Sequence, residues 1–124
     1  MSNNFEHLQQ ATLRLSQDGP IKDRLIAAYD AHLAAVETED LPDSMRADFG
    51  ALCAAMHRET PQVRESAVRA SVRKMSAVEA SECAALVVRL FAAMARADAA
   101  RAVSAAARSA RVPAHVVQLF AAEA

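Results

Sequence analysis

Cys53 and His57 stand four residues apart, the spacing that brings two side chains onto one face of a helix. A thiolate and an imidazole placed so are half of a zinc-type site. Cys83, His32 and His115 are the residues a fold would have to bring in to complete it. Both cysteines, however, fall on apolar helical stripes, where a free thiol packs as a small hydrophobe. No Cys-x-x-Cys, His-x-x-x-His or Glu-x-x-His pair supplements them. The sequence therefore predicts no metal site and no cofactor.

Tyr29 and His32, three apart and next to Asp30, are the second candidate. A lone tyrosine beside a histidine is an acid–base pair in a helical pocket. The packing alternative sets Tyr29 at the core edge with its hydroxyl in water and His32 at the boundary. Two glycines, Gly19 and Gly50, are too few for a glycine-rich phosphate loop, and no Ser-His-acid arrangement emerges from spacing. The sequence predicts no catalytic residue.

The stretch from Arg58 to Lys74 supplies the third candidate. Arg64, Arg69, Arg73 and Lys74 form a basic face suited to phosphate or an acidic helix. The alternative is a solvated face paired with Glu59, Glu65 and the acidic half of the chain. Residues 1–57 carry nine acidic and four basic side chains, and residues 58–124 carry six acidic and ten basic, which gives −5 and +4. The sequence predicts that these halves pair within one body.

These residues must be held by helices. About a quarter of the chain is alanine, the aromatic share is 4 %, and no segment alternates as a strand does. The expected fold is all-α: a bundle of five to six antiparallel helices with a short C-terminal helical appendage. The bundle takes residues 1–97 and the appendage 98–124, within a single domain overall. The first helix runs from Asn4 to Ser16, and Asp18-Gly19-Pro20 ends it and starts a second, Pro20 to Glu37. Leu41-Pro42 opens the third. Thr60-Pro61 caps a fourth that runs to Met75, with Val63 on its apolar arc and Glu65–Arg69 as an i,i+4 pair. Ser76-Ala77-Val78-Glu79 is a capping box. The fifth helix should bury Leu86, Val87, Leu90, Phe91 and Met94.

The N-terminal MSNNFEHLQQ has neither a basic nor an apolar region of the secretory kind, and no run approaches a membrane span. A cytoplasmic protein with reduced thiols and no membrane contact is expected.

Residues Ala102 to Val117 resemble a helix-turn-helix, the resemblance lying in the turn Ala107-Arg108-Ser109-Ala110-Arg111-Val112-Pro113 between two small helices. It implies a second helix, Ala114 to Ala124, that enters the major groove and reads base edges. That helix has no Arg, Lys, Asn or Gln beyond Gln118, and its Leu119-Phe120 require burial. The first expectation is accordingly a non-catalytic adaptor or regulator that acts by protein–protein contact, as a homodimer or with another protein. Val116, Leu119 and Phe120 would be its anchors, with Arg108 and Arg111 as a polar rim. A nucleic-acid-binding regulator that uses the basic C-terminal half is the alternative.

Overall fold

A computed structural model describes residues 3–110, and among them the chain forms five α-helices and no strand. They are α1 (Asn4–Leu15), α2 (Ile21–Ala31), α3 (Asp43–Met56), α4 (Ala67–Lys74) and α5 (Ala77–Ala110). Two 3-10 turns, Leu33–Ala35 and Thr38–Asp40, lie between α2 and α3. The all-α class holds.

The fold is organised on α5, a single helix of 34 residues and hence about 51 Å long. It packs on α1, α2 and α3. Its inner half buries Ala80, Cys83, Val87, Leu90 and Met94, spaced alternately three and four residues apart. Leu86 and Phe91 lie one position off this stripe and are only half-buried, contrary to the expectation of full burial. Phe91 instead meets Phe5 of α1, ring centroids 5.5 Å apart. From Ala99 to Arg108 the helix is exposed apart from half-buried Val103 and Ala107. The helix runs unbroken through residues 97 and 98, where the sequence suggests an appendage begins.

Two helices differ from their expected bounds. The second ends at Ala31, not Glu37: His32 leaves the α-helical conformation and the chain goes on as the turn Leu33–Ala35, with Leu33 and Val36 both buried. A 3-10 turn aligns residues three apart, and it does so here. The fourth starts at Ala67, not Pro61. Arg64 has a φ of 63°, a left-handed conformation that stops a helix. Ser66 then caps α4 by accepting the Arg69 N–H at 3.1 Å. Val63, expected on the apolar arc, is 92 % exposed in this turn. The Ser76 cap of α5 is present, its Oγ accepting the Glu79 N–H at 3.0 Å, but the Glu79 carboxylate is engaged by Arg58.

Polar clamps tie the loops to the helices. Asn4 is fully buried, and its amide both donates to the Glu37 carbonyl and accepts from the Glu37 N–H, each at 2.8 Å. Buried Ser71 accepts the Glu59 N–H at 2.9 Å. Arg24 donates to the Leu15 and Gly19 carbonyls, which covers the C-terminus of α1 with a positive charge. Asn4→Ala leaves two backbone groups of Glu37 without partners. It should destabilise the protein by about 1–3 kcal/mol in urea unfolding. A loss within error would show that water replaces the clamp.

Candidate functional site

The two histidine-containing pairs of the sequence resolve into one cluster. Tyr29 of α2 does not engage His32, which terminates that helix. It packs edge-on against His57, ring centroids 5.6 Å apart. His57 Nδ1 lies 2.9 Å from the Cys53 carbonyl, and since a carbonyl only accepts, Nδ1 carries the proton. Burial, and then the Cys53 thiol, push the Tyr29 phenol well above its ordinary value. The phenol is therefore protonated at neutral pH and unsuited to act as a base. Cys83 is buried away on α5, and burial raises its thiol pKa as well. Among the described residues, no three His, Cys, Asp or Glu side chains gather closely enough to hold a metal ion.

The basic stretch is largely engaged by local carboxylates. Glu65 binds Arg73 at 2.9 and 3.1 Å in place of the expected Arg69. Lys74 pairs with Glu59 at 3.2 Å, and Arg58 forks onto Glu79 at 2.6 and 3.1 Å. Arg73 and Arg58 hold the Glu65 and Glu79 carboxyls below their ordinary range. Arg64 and Arg69 are exposed. The expected pairing of acidic and basic halves is not what forms: among the described residues every ion pair joins residues of the same half. One link between the halves is Lys22, which donates to the Arg73 carbonyl at 3.1 Å. In the acidic half, neighbouring Asp40 raises the Glu37 carboxyl above its ordinary range.

The side of α5 away from the core carries exposed apolar side chains among Ser81, Glu82 and Arg89. Val78 is 67 % and Val88 44 % exposed, and Ala85 lies between them on the same face. Ala84, Ala85 and Val88 border a cleft of about 250 Å³ whose other walls are Thr12 and Leu15 of α1, Ser16 just after it, and Ile21 and Arg24 of α2. Ala85 also borders a shallower depression shared with Val78, Ser81 and Glu82. The cleft is smaller than the roughly 300–1,000 Å³ usual for small-molecule sites, and its lining is mostly apolar.

Compared with protein-family models, with curated proteins and with solved structures, the chain matches none.

The anchors expected from the sequence fall differently. Arg108 is exposed near the end of α5. Arg111, Val116, Leu119 and Phe120 lie outside the described residues, as does the second helix of the helix-turn-helix resemblance; residues 102–110 of its first part belong to α5. Sequence reasoning missed the Val78–Ala85–Val88 face. The signal was present, because these residues stand one or two positions from the nearest members of the buried stripe, a rotation that puts them on another side of the same helix.

The raised phenol pKa gives a direct test, since Tyr29 is the only tyrosine and there is no tryptophan. In the folded protein the phenolate absorbance should rise at distinctly higher pH than in urea, where it should follow the ordinary value of about 10. A group with a raised folded pKa contributes stability below its unfolded value and loses it as pH climbs through the folded one. Stability should accordingly fall above about pH 10, and less so in Tyr29→Phe. Identical titrations in folded and unfolded protein would contradict the burial of the hydroxyl beside Cys53.

Proposed function

We propose that this chain is a small cytoplasmic protein that acts by protein–protein contact, an antiparallel helical bundle whose C-terminal segment carries the contact. The observation that supports it is the exposure of Val78, Ala85 and Val88 on α5, with Ala85 and Val88 at the edge of a mostly apolar cleft. Contiguous apolar surface on a soluble protein is characteristic of interaction sites. The chain supplies matching groups from the end of α5 onward: Val116, Leu119 and Phe120 as anchors, with Arg108 and Arg111 at the rim. In this reading Arg73 and Lys74 serve local ion pairs and the Tyr29–Cys53–His57 cluster serves packing.

The partner is a second copy of the chain or another protein that offers a similar apolar surface. The test compares the full chain with one ending at Ala110. Both should give the same helical circular dichroism per helical residue. The full chain should sediment above its 13.3 kDa monomer mass, and the shortened chain as a monomer. Monomers in both cases would overturn self-association through the tail. Duplex binding that falls steeply with salt, and is lost with the tail, would put the nucleic-acid reading in its place.

A further inference from the structure

We draw no further inference here: the strongest candidate, the mostly apolar cleft between α1, α2 and α5 lined by Leu15, Ile21, Ala84 and Val88, is an unpartnered surface, and nothing in the structure shows what covers it.

Discussion

The structure depends on one stripe of five residues. Ala80, Cys83, Val87, Leu90 and Met94 of α5 are all buried, and α1, α2 and α3 all pack on that helix. Apolar burial at about 25 cal/mol per Å² is the main favourable term available to a chain with so few aromatic residues. The stripe includes an alanine and a cysteine, so neighbouring helices approach closely where side chains are small. The larger groups that fill the remaining space, Leu8, Leu25, Phe49 and Leu52, are also buried. Removing α5 from this arrangement would leave three helices without a common surface.

Polar interactions then fix the connections that packing leaves loose. Asn4 holds the segment at Glu37, Ser71 holds Glu59, and Arg24 covers the end of α1. Each satisfies backbone groups that a turn would otherwise leave without partners. The ion pairs Arg58–Glu79, Arg73–Glu65 and Lys74–Glu59 join side chains around α4, a helix of only eight residues. They are exposed pairs and individually weak. They neutralise Arg58, Arg73 and Lys74 and leave Arg64 and Arg69 of the basic stretch exposed.

Much of this was legible in the sequence. Alanine content and the scarcity of glycine dictate helices, and Gly19-Pro20, Leu41-Pro42 and Ser76 mark three of the boundaries found. The departures have specific causes. Leu33 and Val36 suit an α-helix, yet the chain takes a 3-10 turn at Leu33–Ala35 and both side chains stay buried. Pro61 is a good first residue of a helix, yet Arg64 adopts a left-handed conformation and Ser66 offers a better cap. Glu65–Arg69 satisfies the i,i+4 rule, but Glu65 stands outside the helix and reaches Arg73 instead. Tyr29 lies closer in sequence to His32, whereas α3 brings His57 to its ring. Local rules located the residues that matter; the choice among neighbours was tertiary.

The central claim is that α5 is one helix with two roles, an inner half that holds the protein together and an outer half beyond the core. Native-state hydrogen exchange resolves the two directly. Amides of residues 83–94 should exchange only as fast as global unfolding allows. Those of residues 99–108, where nearly all side chains are exposed, should exchange much faster and with little denaturant dependence. Equal protection along the whole helix, or slowest exchange in another helix while residues 83–94 open locally, would contradict the account.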